Sequence, residues 1–449
     1  MNCRMLLLAT AGGLLIAAAG HAQTIVTERS VAAHQAFLAS DALQGRGSAT
    51  RDEAIAAAYV ASEFQSYGLE TAPGMDSFLQ PATVIRERIA GAAKLTSDGM
   101  APVTPTVLLA PAEPVTGTLA VATSADPKAL PAGDMILVSA SGADVGALYR
   151  AASTAHAKLL LLTEDEPGTA KLLAMFGGAP RIYLEGKRPA QRISVAVLRP
   201  AEAAALAKQA GKAVTLAVPI TEERATTTNA IGFLKGSDPK AGTLLFTAHL
   251  DHLGMKSDGT IMHGANDDAS GTTAVMELAQ ALSSGKRPKR SILFVCYGSE
   301  ELGGFGSTYF AEHPPVPLGQ IVANVEFEMI GAQDPKLPKN TLMMTGFERS
   351  SLGSALKAHG ALVTGDPYPD EHFFQRSDNY SLALKGVVAH TVSGWAVTPT
   401  YHQPTDTNAN LNIAFMTHAI RSLVAPAHWL ANSRFVPAWK AGGKPSPAE

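Results

Sequence analysis

In the C-terminal half of the chain, apolar runs alternate with helical stripes. TLLFTA, SILFVCYG, IVANVEF and GVVAHTV are nearly unbroken apolar stretches with helical segments between several of them. A strand covered on one face alternates polar and apolar side chains, so unbroken runs predict strands buried on both faces. The fold class expected is α/β, with a mixed, largely parallel central sheet flanked by helices. SGTTAVMELAQALSSGK supplies one such helix, with Ala274, Val275, Leu278, Ala279 and Leu282 in a stripe that ends before Gly285. Near the N-terminus, AHQAFLASDAL and DEAIAAAYVASEFQSYGL predict two more amphipathic helices between about Val31 and Tyr67, the second closing at Gly68.

A Pro- and Ala-rich stretch near residue 101 and the Thr-rich TEERATTTN near residue 221 bracket a different pattern. Between them lie the short apolar runs DMILVSA, AKLLLLT and ISVAVL, with helical pieces at GALYRAAS and AEAAALAKQA. This predicts a smaller, β-rich α/β domain inserted at 102–222. It divides the remainder into 23–101 and 223–435, and the Pro- and Lys-containing tail 436–449 is expected to be loose.

The first 22 residues change the picture of where the protein works. Arg4 precedes an apolar run from Met5 to Ala19, and small residues follow around Gly20 and Ala22, the pattern of a secretory signal. The run is shorter than the ~20 residues that span a bilayer. The mature chain is therefore expected to be exported, periplasmic or extracellular, without stable membrane insertion. Cys3 leaves with that segment, so Cys296 has no internal disulfide partner and reads as a buried strand residue. With 449 residues, 17% charged residues and a formal net charge of −3, no long-range field favours nucleic acid or an anionic surface. Function has to come from a site.

Polar, metal-competent residues follow the ends of the four predicted strands. TLLFTA runs into His249 and Asp251, SILFVCYG into Glu300 and Glu301, IVANVEF into Glu328, and GVVAHTV, after a loop, reaches His402. Ligands gather at the carboxyl ends of strands in open α/β sheets, so these groups can meet although about 150 residues apart in sequence. Asp267 joins them at the start of a helix, where Asp268 reads as a cap. Histidine and carboxylate without cysteine suit zinc in an open site, whereas calcium takes oxygen alone. Two histidines and three carboxylates suffice for two zinc ions if one carboxylate bridges. Glu300 and Glu301 can divide the work, one binding metal and the other moving protons; alone, the pair would be a solvated loop. Asp251, two residues past His249, can orient its imidazole. GGFGS lacks the lysine of a phosphate loop, and no G-x-S-x-G elbow is present.

AHLDHLG, GANDDASG, GSEELG, EFEMIG and YHQPTDT, in this order, resemble the M28 family of metallopeptidases over roughly 229–430, and also 30–90. The resemblance implies a zinc-exopeptidase fold, with His249 and Glu328 as terminal metal ligands, Asp267 bridging, and Glu301 and His402 completing the pair. It makes Glu300 the general base and Asp251 the partner of His249, and it gives the Tyr401 hydroxyl the oxyanion of the tetrahedral intermediate. Two positions depart from the family. Glu328 stands where relatives usually carry Asp, with Glu326 on the same strand face as the alternative ligand. Asn379 stands where they often have His, in a loop expected to line the substrate pocket. The insert resembles a protease-associated domain, which limits access to small peptides or chain ends; a passive spacer is the alternative. His252, His263, His313, His359, His372 and His390 receive no role.

The activity implied is removal of N-terminal residues from a peptide substrate. A carboxypeptidase or dipeptidase of the same family is the nearest competitor, with Arg376 as the candidate carboxylate partner. Glutaminyl cyclisation uses one zinc and fits a two-metal ligand set less well. A non-catalytic peptide-binding homologue would have lost ligands, and all five positions are filled.

Overall fold

The computed structural model describes residues 26–142, 144–176, 181–190 and 193–446, so the expected signal segment lies outside the described residues. The chain divides into two compact units, Met1–Thr83 with Thr226–Glu449, and Val84–Ala225.

In the first unit, helices α1 (Glu28–Leu38) and α2 (Arg51–Ser66) begin where side-chain oxygens replace missing helical acceptors. Thr27 accepts from Ser30 N at 3.0 Å and Thr50 from Asp52 N at 3.2 Å. After α2 the chain turns through Gly68 at φ +76°, a left-handed conformation that costs glycine little. The two helices bury Val31 and Leu38, and Ala56, Val60 and Phe64. Strands β1 (Leu79–Ile89) and β2 (Ile220–Leu234) carry the chain out of this unit and back.

The rest of the unit alternates strands and helices. It contains β3 (Thr243–His249), α3 (Ser270–Ser283), β4 (Ser291–Tyr297), α4 (Phe305–Glu312), β5 (Ile321–Glu328), β6 (Leu342–Met344), α5 (Leu352–Ala358), β7 (Val363–Gly365), α6 (Asn379–Leu384), β8 (Ala389–Ser393) and α7 (Ile413–Asn432). The strand order is β7-β6-β8-β5-β3-β4-β2-β1. The central run β8-β5-β3-β4 is parallel, and β6 and β2 join it antiparallel. This is the mixed α/β sheet expected. Each residue of β3 is buried, as unbroken apolar runs demand. Register decides where the loops begin. His249 pairs with Tyr297, Thr247 with Glu326, and Glu328 with Ser393, so the central strands end nearly level and their loops start side by side.

The tail after Phe435 is held, contrary to expectation. Trp439 Nε1 donates to the Gly386 carbonyl at 3.1 Å, and its indole lies 5.3 Å from His390 and 6.2 Å from Phe374. A single large aromatic in a polar tail carries no periodicity, so the sequence pattern passed over this anchor.

The second unit holds a seven-stranded sheet. Its parallel centre is Val115–Ala122, Met135–Val138, Leu159–Thr163 and Ser194–Leu198, with antiparallel edges. Helices Val145–Thr154, Glu166–Phe176 and Pro200–Ala207 connect these strands. The unit starts at Val84 rather than near 102, because β1 continues past the unit boundary without a break in its pattern. Among the described residues no helix is long and apolar enough to cross a membrane.

Candidate metal centre

The four level strand ends deliver the site. β3 ends at His249, whose carbonyl accepts from Thr272 Oγ1 at 2.7 Å, tying the strand end to α3. The turn after β4 presents Glu300 and Glu301, β5 ends at Glu328, and the loop beyond β8 carries Tyr401 and His402. Asp267 arrives from the segment before α3. Asp406 holds that backbone, accepting from Asn266 N at 2.9 Å and Asp267 N at 3.0 Å.

Asp267 is the hub. One oxygen lies 3.2 Å from His249 Nε2, and the other lies 3.2 Å from His402 Nε2. Glu301 Oε2 lies 3.1 Å from His402 Nε2, and Glu301 Oε1 lies 2.7 Å from His252 Nδ1. Two groups of potential ligand atoms form, His249 with Asp267 and Glu328, and His252 with Asp267 and Glu301; within each, all atoms are within 4.8 Å of one another. Asp267 belongs to both.

The donor set fits divalent cations. Both nitrogens of His249 and of His252, one oxygen of Asp267 and one of Glu301 are buried without a hydrogen-bond partner. A native fold rarely leaves so many buried polar atoms unpaired at one place unless something else satisfies them. Charge leads the same way. Asp267, Glu301 and Glu328 together carry −3 when ionised, against +4 for two divalent ions, and unpaired buried charge is costly. In the protein alone, burial lifts the Glu328 carboxyl to about 7. Asp267, then Glu301, draw the His402 imidazole up to about 10. Both shifts show a cluster with too much negative charge for its dielectric.

Glu300 is set apart from these groups. Its carboxyl is pushed well above the usual range, first by burial and then by acidic neighbours including Asp378 and Glu328. Its backbone amide donates to Asp251 Oδ1 at 3.0 Å, and the Glu301 amide donates to Asp251 Oδ2 at 3.3 Å. Asp251, expected to orient His249, has Oδ1 3.7 Å from His249 Nδ1. The same carboxylate fastens the Glu300–Glu301 turn, with Ser48 Oγ as a third donor. Glu53, fully buried, braces the same turn by accepting from the Ser299 amide and hydroxyl at 3.0 and 2.9 Å. Sequence reasoning passed over Glu53 because a charged residue in the first turn of a helix ordinarily reads as a solvated one.

Asp268 does accept from Gly271 N in the first turn of α3, at 2.9 Å. It also takes Met329 N at 2.9 Å and His249 N at 3.4 Å, so it joins two strand ends to the helix. Glu326 points to the cluster's flank and is satisfied there by Ser377 Oγ, Asn379 N and Thr391 Oγ1 at 2.9, 2.6 and 2.9 Å, which leaves Glu328 facing Asp267 and His249. Asn379, expected in the pocket lining, is buried, and its amide is spent on the Phe374 carbonyl and Thr391 Oγ1. From that loop, Phe373 and Arg376 line a small cavity with Glu328, Tyr401, Met329 and Met343. The Tyr401 ring stacks on His402 with centroids 3.9 Å apart. His252 is the residue that sequence reasoning left out. Its only signal was position, directly after Asp251 at a strand end.

Residues 229–425 match the model of Peptidase family M28. Leupeptin-inactivating enzyme 1 of Streptomyces exfoliatus is 36% identical over 117 residues, 26% of this chain and 25% of that protein. Aminopeptidase YwaD of Bacillus subtilis is 33% identical over 108 residues, 24% of this chain and 22% of the relative. These curated relatives are thus matched over about a quarter of their length. Among solved structures, the aminopeptidase from Aneurinibacillus sp. strain AM-1 superposes with a TM-score of 0.58 at 18% identity, covering 93% of this chain and 98% of that one. BSAP, a zinc aminopeptidase from Bacillus subtilis, gives 0.52 at 20% identity, covering 92% and 95%. At such identity these two show a shared fold.

Proposed function

From the premise that the chain belongs to Peptidase family M28 through residues 229–425, we propose that it is an exported aminopeptidase with two zinc ions. The observation that carries this reading is Asp267, whose two oxygens face two separate ligand groups. His249, Asp267 and Glu328 would hold one ion, and Asp267, Glu301 and His402 the other; zinc there would supply Lewis-acid polarisation of the scissile carbonyl and a water that is nucleophilic near neutral pH.

The chain's own groups do the rest. Glu300, raised by burial, accepts the proton of the attacking water and passes it to the departing amine, a role that contributes typically ~10²–10⁴-fold. Asp251 and Glu53 keep the turn that aims it. The Tyr401 hydroxyl donates to the oxygen on which charge develops; burial and the acidic neighbours raise its pKa and keep it protonated. The cavity beside Glu328, where Met329, Met343 and Phe373 stand with Thr345, Thr391 and Arg376, would receive the substrate's first side chain. The unit Val84–Ala225 is read as a protease-associated domain.

Arg376 on the cavity wall favours a second reading, carboxypeptidase or dipeptidase action on a free carboxylate. Its guanidinium is paired with Glu371 at 3.1 Å and lies over the Phe373 ring, which weakens that reading. Hydrolysis of leucinyl peptides with a free or an acetylated N-terminus, before and after chelation, separates the two. Cleavage confined to the free amine and abolished by chelation is expected. Cleavage of the blocked peptide from its carboxyl end overturns the aminopeptidase reading.

A further inference from the structure

We infer that His252 is a direct ligand of the ion held by Asp267, Glu301 and His402, so that three imidazoles grip the metal pair. This rests on the two-metal reading above and adds a ligand to it.

His252 is wholly buried, and neither ring nitrogen makes a hydrogen bond of good angular geometry. Nδ1 faces Glu301 Oε1 at 2.7 Å and Asp267 Oδ2 at 3.8 Å. Two donors each ~2.1 Å from one zinc lie at most ~4.2 Å apart, and both distances fall inside that span. The ring sits edge to face with His402, centroids 5.7 Å apart, so the two imidazoles approach the shared carboxylates from different directions.

The backbone fixes this placement. His252 N donates to the Arg46 carbonyl at 3.0 Å, and the His252 carbonyl accepts from Ser48 N at 3.2 Å. Arg46, itself wholly buried, donates to the carbonyls of Leu38, Leu250, His263 and Gly264, which ties the segments on either side of the ring together. Gly264 makes the room. A Cβ at that position would lie 2.5 Å from His252 Cγ, so the ring occupies the space a side chain would fill. A buried imidazole held this firmly, with Nδ1 turned to two carboxylates, has the placement of a ligand. The competing role is a hydrogen bond to Glu301 that merely orients it.

The anomalous difference map of zinc-loaded crystals of the full chain decides between them. Ligation puts His252 Nδ1 at ~2.0–2.1 Å from the second zinc. A separation above ~3 Å, with Nδ1 bonded to Glu301, overturns the inference while leaving two ions and the function intact. Crystals holding one zinc or none overturn both. In zinc titrations of the apoprotein, His252→Ala is expected to weaken the second equivalent by more than a hundredfold and spare the first. A smaller loss, in the ~10–100-fold range typical of groups that only orient a ligand, counts against ligation. The wild-type distance decides the matter if the variant does not fold.

Discussion

Glu300 and Glu301 are adjacent, yet the fold gives them different surroundings. Glu301 lies against two imidazoles in ion-pair contact, whereas burial and acidic neighbours outweigh the His249 imidazole at Glu300. In the proposed function that difference makes Glu301 the ligand and Glu300 the base. Glu300→Gln keeps the shape and removes the proton acceptor. It should therefore retain zinc while kcat falls by ~10²–10⁴-fold; parallel metal analysis and steady-state kinetics check this. Unchanged kcat removes Glu300 from the mechanism. Much of this site was legible as spacing, since each strand end announced its own polar residue. What spacing could not show was where each carboxylate spends its oxygens. Glu326 and Glu328 share a strand face, and only the hydroxyls of Ser377 and Thr391 and the amide of Asn379 reveal that Glu326 is already satisfied. Asp251 likewise stands beside His249 and also accepts from two backbone amides, which spacing could not show.

Helix α3 shows how a periodic pattern can be right and incomplete. Its expected stripe, Ala274, Val275, Leu278, Ala279 and Leu282, is buried, but so are Thr272, Thr273 and Glu277 on other faces. A helix covered by the sheet on one side and by α1, α2 and α7 elsewhere has no wet face, and the pattern reveals only its greasiest side. Burial lifts the Glu277 carboxyl to about 7 from an ordinary 4.5. The folded chain therefore holds a proton there that the unfolded chain releases. The stabilisation linked to that proton is complete below about 4.5 and is lost as pH rises through 7. Glu277→Gln removes the loss and should stabilise the protein at pH 8 by up to ~3 kcal/mol, with almost no effect at pH 4.5. Urea midpoints at the two pH values test this, and equal shifts at both would show that burial does not set the effect.

The first unit's α/β order was readable in the whole chain because buried strands and intervening helices alternate with little interruption. Its borders were not, because β1 runs through the boundary at Val84 with one continuous pattern. The tail escaped the pattern for a related reason: one anchoring residue, Trp439, outweighs a polar surrounding that looks disordered. Trp439→Ala should lower stability by ~1–3 kcal/mol through lost packing on Phe374 and His390, measurable as a fall in Tm, and leave zinc content unchanged. A Tm equal to that of the parent would return the tail to a loose appendage. The proposed metal pair connects these observations, since four strand ends and the segment before α3 meet only when the unit is folded. Titration of the apoprotein with zinc, beside the Asp267→Ala variant, tests whether they meet around cations. Two equivalents bound by the parent, and loss of the pair on removal of the shared carboxylate, are the predicted result. One equivalent or none in the parent, or two retained without Asp267, would contradict it.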